Sequence, residues 1–472
     1  METSLGIFED NGDIGNVVHS GEAHFDSNTG CYTITGSGKN MWAHQDTFRY
    51  LWRKAVGDIT LSADVAFVGE GVEPHRKAGI VFRQSLNAES AYVSAVVHGD
   101  GLTSLQFRLT RGGPTQEVQA AVAAPKTIKL EKQGKYIRLY TDGAFSGAAV
   151  ALELTEPFYI GLAVCSHNEN VSETAIFSNV GRGVPAIPTN GPTALYSTLE
   201  TIAIASTDRK VRLCQKAHFE APNWLPDNSA WLYNAGGLIY KLPIRSDGEA
   251  EQIDTGFATR CNNDHGVTFD GQTLIISDQS QNGKSRIYTL PITGGTPRLI
   301  TPNSPSYWHG VSPDGQTLAY CAQRGGQFDI YTIPITGGDE TQLTNVPGLD
   351  DGPEFSPDGK YIYFNSERTG KMQAWRMRAD GSQQEQLTFD TRNNWFPHVS
   401  PDGRKMAYLS YEPDVTGHPP GKDVALRLMD LETQNITTLA CFYGGQGTIN
   451  VNSWSPDSRQ LAFVTYQNIP TT

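Results

Sequence analysis

A four-residue phrase recurs at fixed spacing in the second half of the chain and limits what that half can become. Ser312-Pro313-Asp314-Gly315, Ser356-Pro357-Asp358-Gly359 and Ser400-Pro401-Asp402-Gly403 lie 44 residues apart. Weaker copies begin at Leu225 and Thr268, and a last one, Ser455-Pro456-Asp457-Ser458, follows Ser400 after 55 residues. Each phrase is a tight turn: Pro presets φ, Asp bonds back to the backbone, and Gly accepts φ > 0. A period of ~40–45 residues with four short strands per unit marks a β-propeller blade. Six copies predict six blades.

The words between the turns agree. An apolar strand follows each turn (Thr317–Cys321, Tyr361–Phe364, Lys405–Leu409), then a third strand ending in Ile239–Ile244, Ile287–Ile292 or Ile330–Ile335. A fourth, more polar strand closes the unit, as in Thr341–Thr344 and Glu385–Thr388. This is period-2 strand chemistry, not helix. The repeat resembles the TolB-like propellers, whose blades carry the same Ser-Pro-Asp-Gly turn, Ile-Tyr strand and Leu-Thr strand. The resemblance covers about Ser197 to Gln467, implies a propeller over 197–472, and is nearly silent on activity. Only two strands follow Asn452, so Thr201–Ala205 and Lys210–Cys214 are expected to complete the last blade and protect its edge.

Residues 1–182 have a different texture, with many alternating strands, from Asp58–Val68 to Glu173–Val180, and no repeat. The expectation is a β-sandwich. The stretch Phe158–His167 followed by Ala175–Asn179 resembles the concanavalin-like jelly rolls found beside carbohydrate-active enzymes. Residues 183–196, rich in Pro and Gly, read as a semi-rigid linker. The fold class is therefore all-β: a jelly-roll sandwich followed by a six-bladed propeller.

Composition excludes several partners. A net charge of −13 without basic runs argues against nucleic acid, and no apolar run of ~18 residues exists to span a membrane. The six cysteines lack Cys-x-x-Cys spacing and read as packed thiols. The start Met1-Glu2-Thr3-Ser4-Leu5 lacks a secretory pattern, so the expectation is cytoplasmic, or periplasmic or secreted if the chain has been trimmed. TolB-like proteins are usually periplasmic, and the chain departs from them there. No phosphate loop or nucleophile elbow is found, so no organic cofactor is expected.

Chemistry is expected at one mouth of the propeller, where the loops entering the innermost strands converge. Those segments carry His265, Tyr307, His309, Asp351, Glu354 and His398, with Asp264 and Asp350 beside them. Loops on the same side carry Arg324 and Arg368, and an insertion from Tyr411 to Asp423 brings His418, Lys422 and Asp423 as a candidate lid. His265, His309, His398, Asp351 and Glu354 can hold a divalent cation (Mn, Zn or Ca); the alternative is that these histidines bond to neighbouring blades or water. Trp308 and Trp395 can stack sugar rings or pack between blades. In the sandwich, His98 and Asp100 are candidate glycan or Ca contacts, or parts of an ordinary hairpin turn.

The arrangement also resembles propeller-type oligogalacturonate lyases, which use a metal, a His base and an Arg. The chain departs from them in its blade count and in lacking a His-x-His pair near position 398. The resemblance implies a carbohydrate-active protein, a metal-assisted lyase or hydrolase on oligo- or polysaccharides, uronate-containing ones included. In it His265 and His309 serve as bases, Arg324 and Arg368 neutralise a uronate carboxylate, and Tyr307 is the acid. Two alternatives stay open: a non-catalytic propeller binding a protein or glycan, and a scaffold whose channel ion is purely structural.

Overall fold

A computed structural model describes residues 5–186, 192–245 and 248–471, and no helix occurs among them. The chain divides into two compact units: Met1–Ala194 with Thr207–Cys214 and Ile469–Thr472, and Leu195–Ser206 with Gln215–Asn468. Part of the expected linker, 187–191, lies outside the described residues; strand structure runs to Gly183 before it and resumes at Thr193.

The N-terminal unit holds two sheets around one core. One sheet runs Ala144–Ala151, Tyr136–Thr141, Thr127–Gln133, Ile59–Val68, Asn168–Gly183, Cys31–Gly38, Glu22–Asp26. The other runs Asp10–Ile14, Phe48–Ala55, Phe158–Cys165, Lys77–Arg83, Tyr92–His98, Thr103–Arg108, Gln116–Gln119. Alternation places Tyr32 and Ile34 inward from the first sheet, against Leu51, Ile80 and Leu162 from the second. Residue Arg209 of the strand Arg209–Gln215 lies parallel to Val118, satisfying an edge that would otherwise be unpaired.

The second unit contains a propeller of five separate four-stranded antiparallel sheets, over 220–252, 261–299, 306–342, 350–386 and 393–444. The Ser-Pro-Asp-Gly phrase acts as read. Ser312 Oγ donates to Asp314 Oδ1 at 2.5 Å, the Gln316 N–H donates to the same oxygen at 3.0 Å, and Gly315 has φ 70°. Where the phrase departs from Gly, the backbone does not follow: Asn228 and Ser458 hold φ 59° and 62°.

The expected sixth blade is not a separate four-stranded sheet. Asn452–Ser455 contributes one bridge, Trp454 to Leu461, and Thr193–Ala203 neighbours Gln460–Pro470. Residues Lys210–Cys214, expected as its outer strand, group with the N-terminal unit. Cys165, Cys261 and Cys321 are buried thiols, as packed cysteines on strands are expected to be.

Candidate functional site

In each blade the innermost strand enters through an irregular stretch and ends at the turn. A register break expels residues from the ladder there: between Cys261 and His265, Trp308 and Gly310, Asp351 and Glu354, and Trp395 and His398. Expelled or adjacent side chains are free to face the axis, whereas laddered ones are committed to a sheet face.

One rule emerges. The residue five positions before the turn's first residue lines a common cavity in five cases: Glu220, Asn263, Tyr307, Asp351 and Asn450. In the sheet 393–444 that position is Trp395, fully buried, and its neighbour Phe396, at φ 56°, lines the cavity instead. The cavity measures about 570 Å³ and is also lined by His218, Asp264, His309, Cys321 and His418.

His309 is its centre. Its Nε2 lies 3.2 Å from Asp351 Oδ1 and 3.9 Å from Asp264 Oδ1, and His418 Nε2 lies 3.9 Å from Asp351 Oδ2. Burial pushes Asp264 up to about 7, aided by the charges of Asp351 and Glu220 and opposed by His309. Burial works against ionised Asp351 too, but the hydrogen bond and charge of His309, with His418, hold it down to about 2. Burial likewise disfavours the His309 cation, yet Asp264 and Asp351 together carry it to about 9. Glu220 is raised, chiefly by burial. Near pH 7 the group is therefore an imidazolium between an ionised Asp351 and an Asp264 close to half protonation.

The insertion after Tyr411 delivers His418 as expected, but as a packed element. Its ring meets Trp395 edge-on at 4.3 Å and Phe396 at 5.2 Å. The Tyr411 hydroxyl donates to Pro419 O at 3.3 Å, and Asn393 Nδ2 donates to Val415 O at 2.9 Å. Lys422 is exposed at the start of Lys422–Asp430 and is not among the lining residues.

Other expected site residues lie elsewhere. His265 pairs with Ile276 in the ladder, is fully buried, and lacks a well-formed bond at either ring nitrogen; the backbones of Asn262 and Ala221 are nearest. It shares the offset of His309 from its turn, but His309 occupies the register break and His265 does not. His398 faces Glu354 (Nδ1 to Oε2, 2.5 Å) and Ile449 O, and Glu354 Oε1 also accepts from Asn452 Nδ2 at 2.6 Å. These two therefore tie strands together rather than join the His309 group.

Both arginines are structural. Arg324 pairs with Glu340 and also donates to Pro305 O and Ser306 Oγ; Arg368 pairs with Asp350 at 2.8 Å. Among the described lining residues there is no Arg or Lys. Trp395 packs on His418, and Trp308 lines a second, apolar opening of about 200 Å³ with Trp224, Phe269, Phe355 and Trp454. In the N-terminal unit, His98 is buried at the end of its strand and Asp100 is half exposed in the following turn.

Sequence reasoning missed Glu220, His218 and Asn450. For Glu220 and Asn450 the signal was the five-residue offset from the turn, whereas His218, seven residues before Leu225, carried none.

Comparisons with known proteins agree with this architecture. The TolB β-propeller domain family matches residues 303–461. An uncharacterised protein of Agrobacterium fabrum is 50% identical over 273 residues, 58% of this chain and 93% of that protein. A solved structure from Agrobacterium tumefaciens, provisionally assigned as TolB, is 50% identical over 59% of this chain and 99% of its own, with TM-score 0.57. An oligogalacturonate lyase in complex with manganese aligns at 12% identity over 53% of this chain and 74% of its own, with TM-score 0.37, too distant to bear on the site. By these matches, the chain belongs to the TolB-like β-propeller family.

Proposed function

We propose that the His309 cavity is the ligand site of a carbohydrate-active protein with acid–base capacity, closer to a hydrolase than to a uronate lyase. One observation carries the reading: His309 Nε2 stands between two buried carboxylates, 3.2 Å from Asp351 Oδ1 and 3.9 Å from Asp264 Oδ1, an environment in which burial raises Asp264 to about 7 while the His309 cation holds Asp351 down to about 2. Such splitting gives one group that can donate a proton and one that stays ionised. The amides of Asn262, Asn263, Gln279, Gln446 and Asn450 suit hydroxyl groups, Tyr307 and Phe328 offer ring faces, and about 570 Å³ suits a small saccharide. The lining is acidic, with both candidate arginines engaged elsewhere, which favours neutral sugars over uronates.

The cavity can also be read as a cation site, with His309, Asp351 and His418 as the residues that would hold the ion: His309 Nε2 lies 3.2 Å from Asp351 Oδ1 and His418 Nε2 lies 3.9 Å from Asp351 Oδ2. Such an ion supplies Lewis acidity and takes over the charge balance now provided by the His309 proton. Around it, Asp264 holds the transferable proton and Asp351 fixes the imidazoles of His309 and His418.

The working unit on this reading is a jelly-roll sandwich over 1–182 that captures glycan, a linker over 183–196, and a six-bladed propeller over 197–472 whose last blade is shared by both ends. Elemental analysis of wild type beside His309→Ala, then a screen of neutral and uronate oligosaccharides, tests it. About one equivalent of metal lost in the variant, with turnover of a neutral glycan, supports the reading; no metal and no turnover overturn it. A second reading is a propeller that binds a protein partner. The opening ringed by Trp224, Trp308 and Trp454 favours it, because its apolar walls suit a peptide side chain.

A further inference from the structure

The N-terminal unit carries a side-chain cluster that the propeller cavity does not use. Tyr92–His98 ends on His98, opposite Lys77, and the chain then turns through Gly99, Asp100 and Gly101 into Thr103–Arg108. The Gly99 N–H donates to Arg76 O at 3.0 Å and the Asp100 N–H to Pro74 O at 2.9 Å, lacing this turn to the segment that bears His75. A Cβ on Gly99 would meet Arg76 Cγ at 2.8 Å, so the close approach favours glycine. Arg76 is itself anchored by a buried ion pair to Glu173, at 2.6 Å.

The lacing sets three ligand atoms against one another. His98 Nδ1 lies 3.5 Å from His75 Nδ1, which lies 3.8 Å from Asp100 Oδ2, and ligand atoms of the three residues all fall within 4.8 Å of each other. Asp100 Oδ1 accepts from the Leu102 N–H at 3.0 Å, fixing the carboxylate. Tetrahedral zinc with bonds of about 2.0–2.2 Å separates neighbouring ligand atoms by about 3.4 Å, so small rotations bring the three into place.

A second observation concerns the far side of the buried ring. Gln106 is 1% exposed, its amide nitrogen lies 3.4 Å from His98 Nε2 and 3.5 Å from Glu117 Oε2, and its Oε1 has no hydrogen-bond partner. His98 Nε2 thus faces a buried side-chain amide, whose oxygen or nitrogen placement sets which ring nitrogen is left for coordination. His167 stands outside the set, because its Nδ1 faces Lys77 Nζ at 3.4 Å. The side chains of His75 and Asp100 are 51% and 39% exposed, so the site opens to solvent and leaves a fourth position free.

We propose that His75, His98 and Asp100 form a site for a divalent transition-metal ion of the zinc class. Two imidazoles and one carboxylate favour such an ion over calcium or magnesium, which prefer all-oxygen shells. The full chain, stripped with EDTA and dialysed, is titrated calorimetrically with Zn²⁺ and then with Co²⁺, whose visible absorption reports tetrahedral coordination. The titration is done in a His309→Ala background, so that the propeller cavity does not contribute. One saturable equivalent is expected. His75→Gln and Asp100→Asn, both at exposed positions, should each weaken it by more than about tenfold without moving the unfolding curve in EDTA. No saturable binding in the His309→Ala protein, or unchanged affinity in both further variants, overturns the proposal.

Discussion

Nε2 of His309 sits 3.2 Å from Oδ1 of Asp351, although the two residues belong to successive sheets and are joined by no shared strand. Their pairing sets the electrostatics of the cavity, because each holds the other in its charged form against the cost of burial.

Stability should therefore fall on the alkaline side. His309 is raised to about 9 from 6.5, so its contribution is complete below about pH 6.5 and is lost as pH rises through 9. Chemical denaturation in EDTA should show wild type losing up to about 3 kcal/mol over that window, with His309→Gln losing much less. Equal slopes in the two proteins would contradict the pairing.

Metal affinity at the propeller should rise over the same range, because an ion must displace the His309 proton. Titrations in two buffers of different ionisation enthalpy should report proton release near pH 7 and little near pH 10.

His265 and His309 should behave oppositely. His265 is fully buried and laddered, so His265→Ala is expected to cost about 2–4 kcal/mol of stability while keeping the ion of the propeller. His309→Ala should lose the ion. Calorimetry with metal analysis on both variants decides it.

Asp264→Asn should remove the proton donor without changing the shape of the cavity. On any glycan found to turn over, a loss of about 10²–10⁴ in kcat is expected, with the fall in wild-type rate above pH 7 flattened. A rate unaffected by the substitution would remove Asp264 from the chemistry.

Arg324→Ala should act on acid stability rather than on catalysis. Its hydrogen bonds to Glu340 hold that carboxylate down to about 2 from 4.5, so the pair stabilises the fold above about pH 4.5 and is lost as pH falls through 2. The variant should lack that acid limb and retain wild-type ligand binding.

The turns and the blades they punctuate were legible in the sequence. Ser312, Asp314 and Gly315 do their work with partners two to five residues away, so local chemistry suffices to read them. It also placed His309, Asp351, Tyr307 and His418 at one mouth. Tertiary structure alone decided which side chains meet there. His265 and His309 share an offset, yet one lies in the ladder and the other in a register break, a difference of pairing between strands that no local pattern records. Arg324 and Arg368 look available in sequence, but packing hands them to Glu340 and Asp350. Glu220 reaches the cavity only because the ring brings residues 220 and 450 to the same axis.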